Sequence, residues 1–368
     1  MKRWRHWLRI AAVLIVVAIG GGFLFAWSGL YNVGASRGHF AITEWVLAFV
    51  MENSVETRAP LVEDPPALDN PDLIRLGAAH FQIECASCHG APGVAPNPVM
   101  QVALPPAPDL LAVDREWSDK QLFWIVQHGI KYTGMPAWPT LQRDDEVWAV
   151  VAFLKQLGGL DAVSYRNLIK GGQDDVENRR RVAAENLPDI AESCLGCHGT
   201  ADSAPISGLV PSLQGQSSDF LAAALTAFRD GSRPSGIMQP MAAALAEDET
   251  RRLAEFYAGL RRPERPVNPA PASEPGRTIA VDGIPGSEVP PCLSCHGQDA
   301  DPSFPRLAGQ NKAYLVNQLR LWKKGINTVT PGADIMAPIA QRLHEAEIEA
   351  VAAYFAGLDE APVAETPP

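Results

Sequence analysis

Positive charge is scarce in this 368-residue chain once its first nine residues are passed. Lys and Arg number 31 against 42 Asp and Glu, and four of those cations lie in residues 1–30, where no acid occurs; the net charge is −11 overall and about −15 for the remainder. Nucleic acid is excluded as a partner class, because binding phosphates needs a basic face. Strand-like alternation is missing too, since no stretch sustains an apolar/polar period of two. Cysteine is confined to six residues, none of which stands outside a pair. The rest is ordinary globular material: 46% apolar and 20% charged residues exclude a disordered tail protein, and the length accommodates about two to four small domains. Glycine (30) and proline (32) are plentiful without reaching low complexity, which predicts compact modules with stiff loops.

The cysteines fall as Cys85 and Cys88, Cys194 and Cys197, and Cys292 and Cys295, and each pair is followed at once by a histidine, His89, His198 and His296. The strings CASCHG, CLGCHG and CLSCHG carry the Cys-x-x-Cys-His signature of covalent haem c attachment, in which two thiols bond the haem vinyl groups and the adjacent histidine ligates iron. Redox or structural disulfides do not require histidine next in all three copies. A zinc site built from two pairs leaves the third orphaned. Three covalently attached haem c groups are the expected cofactors.

The second axial ligand follows by elimination. Between His198 and Leu260 no further histidine occurs and the sulfur donors are Met238 and Met241, so bis-histidine ligation within that module is excluded. After His296 the sole methionine is Met336. Aligning Leu245 with Leu343 sets Met238 opposite Met336, each 40 residues beyond its histidine, and leaves Met241 as a packing residue one turn away. In the first module the choice lies between Met100 and Met135. YTGMPAWP puts Met135 on a proline-bounded, non-helical loop, 46 residues after His89, and favours it. Histidine–methionine ligation raises the haem potential and leaves iron six-coordinate, which suits electron transfer rather than oxygen or peroxide chemistry.

Residues 10–30, IAAVLIVVAIGGGFLFAWSGL, are 21 consecutive uncharged and mostly apolar residues, enough to cross a bilayer core about 30 Å thick. Lys2, Arg3, Arg5 and Arg9 precede them, so the positive-inside rule keeps that end in the cytoplasm and sends the remainder across. A cleaved signal peptide is the competing reading, but its apolar region is shorter, about 7–15 residues, and no convincing A-x-A site is present. A second apolar stretch, FAITEWVLAFVM at 40–51, is too short to span. Ile42, Trp45, Val46, Phe49 and Val50 recur at helical spacing, which fits a membrane interface, a partner's transmembrane helix, or packing on its own domain.

The haem motif recurs after 109 and then 98 residues, about one small domain per copy. Helix signals flank each motif: Asn70-Pro71 before LIRLGAAHFQI, the capping box SDKQ at 118–121, Asp144 opening DEVWAVVAFLKQL, and AENLPDIAES before Cys194. SDFLAAALTAFRDG and EDETRRLAEFYAGL follow in the second unit, NKAYLVNQLRLWKKG and HEAEIEAVAAYFAGL in the third, and GRTIAVDG holds a short helix before Cys292. The expected fold is all-α, three domains in tandem behind one N-terminal transmembrane helix. The predicted boundaries are 1–32 for basic flank and anchor, 33–69 for an interfacial segment and a linker that lifts the first unit off the membrane, 70–160, 161–262 and 276–360 for the haem domains, 263–275 for a proline-rich spacer, and 361–368 for a tail.

Each unit resembles a class I cytochrome c, with Gly77, Phe81 and Trp148 similar to that family's crossing pair of terminal helices. The last two units resemble the repeats of the dihaem cytochrome c4 family through VPSLQGQSSDFL and FPRLAGQNKAYL, the methionine loops, and last helices ending YAGL or FAGL. The added first unit and anchor depart from that family. The resemblance implies a bacterial inner-membrane protein with one transmembrane helix, its haem domains in the periplasm, carrying single electrons between respiratory redox partners, an oxidase or a dehydrogenase. The leading expectation is a carrier delivering electrons toward a terminal oxidase; the rival is the cytochrome subunit of a membrane-bound dehydrogenase complex. A peroxidase or gas sensor needs a five-coordinate iron, which the methionines argue against. No catalytic residue is assigned. His6, His39, His80, His128 and His344 read as surface or capping residues, with His128 the one rival to Met135, and Trp124, Trp138 and Trp148 read as packing.

Overall fold

The computed structural model describes residues 2–112, 117–170, 191–261, 274–327 and 332–358, and within them the regular structure is helical apart from two isolated bridges. Helix α1 (Lys2–Trp27) is a lone apolar rod with a mean hydropathy of 2.5 over its best window and none of that window buried. Helix α2 (Ala41–Arg58) follows; Ile42, Trp45, Phe49 and Val50 are exposed, with the Trp45 and Phe49 rings stacked 5.5 Å apart. Its C-terminal end behaves differently. Val55 and Ala59 are buried, Val62 and Leu68 pack against the Phe123–Trp148 cluster, and Lys120 pairs with Asp64 at 2.8 Å. Residues 55–68 therefore lie on the first unit rather than forming the expected free linker, because their apolar side chains find a hydrophobic surface there.

The first unit begins with α3 (Pro71–His80), started by Pro71 and by the Asn70 Oδ1 that accepts the Asp72 N–H at 2.9 Å. A π-helical turn, Phe81–Cys85, leads into α4 (Ala86–His89), and α5 (Pro98–Gln101) is one short turn. Helix α6 (Asp119–His128) carries the expected capping box of Ser118 and Gln121, and α7 (Asp144–Leu157) supplies the core. Helix α3 crosses α7 at Gly77, where an added Cβ would collide with the Ala149 carbonyl oxygen. Helix α8 (Ala162–Lys170) packs on the same unit: Tyr165 is buried beside Phe81 and Phe153, and its hydroxyl donates to Gln82 Oε1 at 2.8 Å. The packing of the first unit thus runs past residue 160, because an aromatic anchor at 165 fills its core.

The second unit contains α9 (Ala191–His198), α10 (Ser218–Arg229), α11 (Met238–Ala243) and α12 (Glu247–Gly259). The third contains α13 (Glu274–Asp282), α14 (Leu293–His296), α15 (Lys312–Lys323), α16 (Ala333–Arg342) and α17 (Glu345–Ala356). Helix α13 crosses α17 at Gly276, where a Cβ would meet the Ala350 carbonyl oxygen, the same device as at Gly77. Residues 171–190, among them 184–190 of AENLPDIAES, most of the proline-rich spacer and the tail lie outside the described residues.

The second and third units meet through a reciprocal pair of glutamines. Gln216 bonds the backbone of Arg306, accepting its N–H at 2.9 Å and donating to its carbonyl at 2.8 Å. Gln310 does the same to Ser212, at 2.8 and 2.9 Å. Gln216 and Gln310 occupy the same place in the two repeats, as do Ser212 and Arg306, so the contact is self-complementary, like that of a two-fold dimer. The first unit joins them through the start of α7: Arg143 donates to the Pro234 carbonyl at 2.9 Å, and Asn317 donates to Asp145 at 2.8 Å.

Candidate haem centres

Each Cys-x-x-Cys-His segment is helical and ends at its histidine. Gly90 and Gly199, which follow the first two, adopt φ of 73° and 73°, a left-handed conformation that stops a helix and suits glycine. The three histidines then make one and the same hydrogen bond. Nδ1 of His89 donates to the Pro108 carbonyl at 2.8 Å, that of His198 to Pro211 at 2.9 Å, and that of His296 to Pro305 at 2.8 Å. A carbonyl only accepts, so Nδ1 carries the proton and Nε2 is left with the lone pair that binds a metal. Burial lowers the pKa of His198 and of His296, which keeps both rings neutral.

Burial pushes Cys85 and Cys194 up to about 12 and Cys292 to about 11, so they stay protonated, and protonated thiols are poor partners for disulfide exchange. A cavity of about 1430 Å³ is lined by the thiol pairs of the second and third units together with His198, His296, Met238 and Met336. The Tyr257 hydroxyl also lines it, buried and without a hydrogen-bond partner among the described residues. A large, mostly apolar cavity, paired thiols, a histidine with a free Nε2 and an orphaned hydroxyl fit haem c. Bound there, haem supplies a one-electron ferric/ferrous couple.

The methionines are placed unevenly. Met135 is half-buried on a non-helical segment held by its own N–H to Thr133 Oγ1 at 3.0 Å, whereas Met100 is exposed on α5. Met238 opens α11 and Met336 lies inside α16, so these two segments are helical rather than loops. Met241 lines the same cavity as Met238. His128 rests on Trp124, ring centroids 4.9 Å apart. His80 departs from the surface reading: it is buried, its ring lies 4.6 Å from that of Trp138, and desolvation lowers its pKa to about 4.

Two sets of residues escaped the sequence reading. Arg143, Asp145 and Glu146 look like a solvated first helical turn but are packed between units; burial pushes the Glu146 carboxyl up against the pull of Arg143. The glutamines did carry a signal, since QGQ and AGQ recur at one place in both repeats, but nothing local says what they bind.

Residues 72–154 match the family described as cytochrome c oxidase, cbb3-type, subunit III. A protein of Stutzerimonas stutzeri (strain A1501) named thiosulfate dehydrogenase electron acceptor is 34% identical over 173 residues, which is 46% of this chain and 80% of that protein. A cytochrome c4 of Thiocapsa roseopersicina is 31% identical over 172 residues, 45% of this chain and 88% of that one. The solved cytochrome c4 of Acidithiobacillus ferrooxidans aligns with a TM-score of 0.40 and 30% identity over 45% of this chain and 98% of its own.

Proposed function

From the premise that this chain belongs to the class I cytochromes c related to the cytochrome c4 family, and therefore binds haem c and transfers electrons, we propose that it is a trihaem carrier anchored in the bacterial inner membrane. The observation that carries the number three is the proximal geometry: the same Nδ1-to-proline bond at His89, His198 and His296. In this reading Cys85 and Cys88, Cys194 and Cys197, and Cys292 and Cys295 attach the haems, and Met135, Met238 and Met336 complete the coordination of iron. The haem units span about 70–170, 191–262 and 274–360. Helix α1 holds them to the membrane with the units on the periplasmic side, and the exposed apolar start of α2 rests in the lipid interface beside it.

Electrons reach it from a periplasmic or membrane donor and leave toward a terminal oxidase or another soluble carrier. The name of the Stutzerimonas stutzeri relative favours a second reading of the donor side, in which a dehydrogenase is the immediate partner and this chain drains it. Net negative charge outside the anchor favours partners with basic docking faces and encounter rates that fall with salt.

The test is a potentiometric titration of the full-length holoprotein, solubilised from carbonate-washed membranes, with carbon monoxide added at the reducing end. Three separate reductions at positive potential and no carbon monoxide binding are expected. Met336→Ala should keep haem attached, lower one potential and open one iron to carbon monoxide. A wild-type protein that binds carbon monoxide, or an unchanged Met336→Ala, overturns the ligand set. Copurification of a flavin, quinone or molybdenum subunit decides for the dehydrogenase reading.

A further inference from the structure

Glu146 touches neither proposed iron ligand of its neighbours, yet it is buried between the methionine segments of two units. Its Oε1 accepts from the Ser235 hydroxyl at 2.6 Å and forms an ion pair with Arg143 Nη1 at 2.9 Å. Its Oε2 accepts from the Gly236 N–H at 2.6 Å and from the Trp138 indole N–H at 3.3 Å. Three hydrogen-bond donors and one guanidinium charge converge on two oxygens, which a carboxylate satisfies and an amide, with donors of its own, does not.

Ser235, Gly236 and Trp138 each belong to a methionine segment. Trp138 stands three residues after Met135, and its indole is the surface against which a Cβ at Gly236 would collide. Ser235 has one hydroxyl proton and gives it to Glu146, so its lone pairs turn to the backbone N–H groups of Ile237 at 3.3 Å and Met238 at 3.0 Å. The carboxylate is held in turn. Arg143 grips Asp145 through two bonds of 2.8 Å each, and Asn317 of the third unit binds the same Asp145 at 2.8 Å. A buried charge network satisfied this fully is rigid, and loss of one member strands the others.

We propose that Glu146 is a positioning residue shared by two haem centres: through Ser235 it fixes the turn that presents Met238, and through Trp138 it fixes the segment that presents Met135. The inference rests on the reading of those methionines as iron ligands. The third unit has no counterpart, since with Met238 opposite Met336 the place of Ser235 is taken by Ala333 and that of Gly236 by Asp334. The Met336 haem therefore serves as an internal control.

The experiment titrates the full-length holoprotein of wild type, Glu146→Gln and Ser235→Ala with imidazole, which competes with a methionine ligand, and records the three midpoint potentials. Met135→Ala, Met238→Ala and Met336→Ala identify which reduction belongs to which haem. Glu146→Gln is expected to raise the imidazole affinity of the Met238 haem about tenfold, the equivalent of about 1.4 kcal/mol lost from the closed turn. It should move that haem's potential and, to a smaller extent, the potential of the Met135 haem, leaving the Met336 haem where it was. Ser235→Ala, the milder variant should Glu146→Gln fail to accumulate, is expected to act on the Met238 haem alone. If Met238→Ala shifts one reduction while Glu146→Gln and Ser235→Ala shift none, or shift the Met336 haem equally, the positioning role is refuted and the ligand reading stands. If Met238→Ala itself changes nothing, both fall together.

Discussion

At the scale of the residue, His80 shows how burial turns a common side chain into a pH-dependent liability. The unfolded chain takes up a proton near the ordinary value of 6.5, whereas the folded ring, desolvated against Trp138, does so only near 4. A depressed folded pKa of a base means that the contribution to stability is fully present above pH 6.5 and is lost as pH falls toward 4. The slope is about 1.4 kcal/mol per pH unit, or roughly 3 kcal/mol over the window. Denaturant unfolding at pH 7 and at pH 4.5 should show that difference in the wild type and a smaller one in His80→Phe, which keeps an aromatic ring beside the indole. The histidines of the three Cys-x-x-Cys-His motifs, by contrast, are settled by their prolines: the carbonyls of Pro108, Pro211 and Pro305 each accept the Nδ1 proton, so one tautomer serves throughout. The methionine segments differ more: Glu146 is bonded to the neighbours of Met135 and Met238, and Met336 has no counterpart of Ser235.

At the scale of the element, two helix crossings are set by single glycines. Gly77 on α3 lets the Ala149 carbonyl of α7 approach, and Gly276 on α13 does the same for Ala350 of α17. Alanine at either position drives a methyl into backbone that cannot swing away, so Gly77→Ala and Gly276→Ala should each cost about 2–3 kcal/mol of stability by denaturant titration. Gly286→Ala, where nothing stands within 4 Å, is the control and should be near neutral. The helices themselves were legible. Asn70, Ser118 and Ser217 cap the starts the sequence marks, and the Cys-x-x-Cys-His strings stand at helix ends as their glycines require. What was not legible is which polar residues go inside. A run such as Arg143 to Glu146 has the composition of a solvated turn, and only the arrival of residues 234–236 and 317 from other units converts it into a buried network. The segment after α2 hides its packing for the complementary reason: Val62 and Leu68 are too sparse for a periodic signal, yet both pack on the apolar surface around Trp148.

At the scale of the whole molecule, apolar side chains join the first unit to the second, Ile237 on the Phe123–Trp148 cluster and Leu209 on that of Leu73 and Ala149, while two glutamines join the second to the third through backbone. Gln216 and Gln310 each bind both the N–H and the carbonyl of one residue, and that residue directly follows the proline that holds a proximal histidine. Truncating Gln310 leaves two buried backbone groups of Ser212 unpaired, a loss of about 2 kcal/mol, and truncating Gln216, whose partner Arg306 is more exposed, costs less. Calorimetry should show the second and third units melting together in the wild type and separating into two transitions in the Gln216→Ala, Gln310→Ala double variant. The symmetry of that contact also has a historical meaning. A patch that recognises its own copy is what a homodimer of single-haem proteins uses, and duplication followed by fusion of the gene preserves it within one chain. Ser212 and Arg306, equivalent in place but different in kind, record the divergence that followed: the glutamines read only their backbone, so their side chains were left free to change, and that of Arg306 has turned to the Gly215 carbonyl at 3.1 Å.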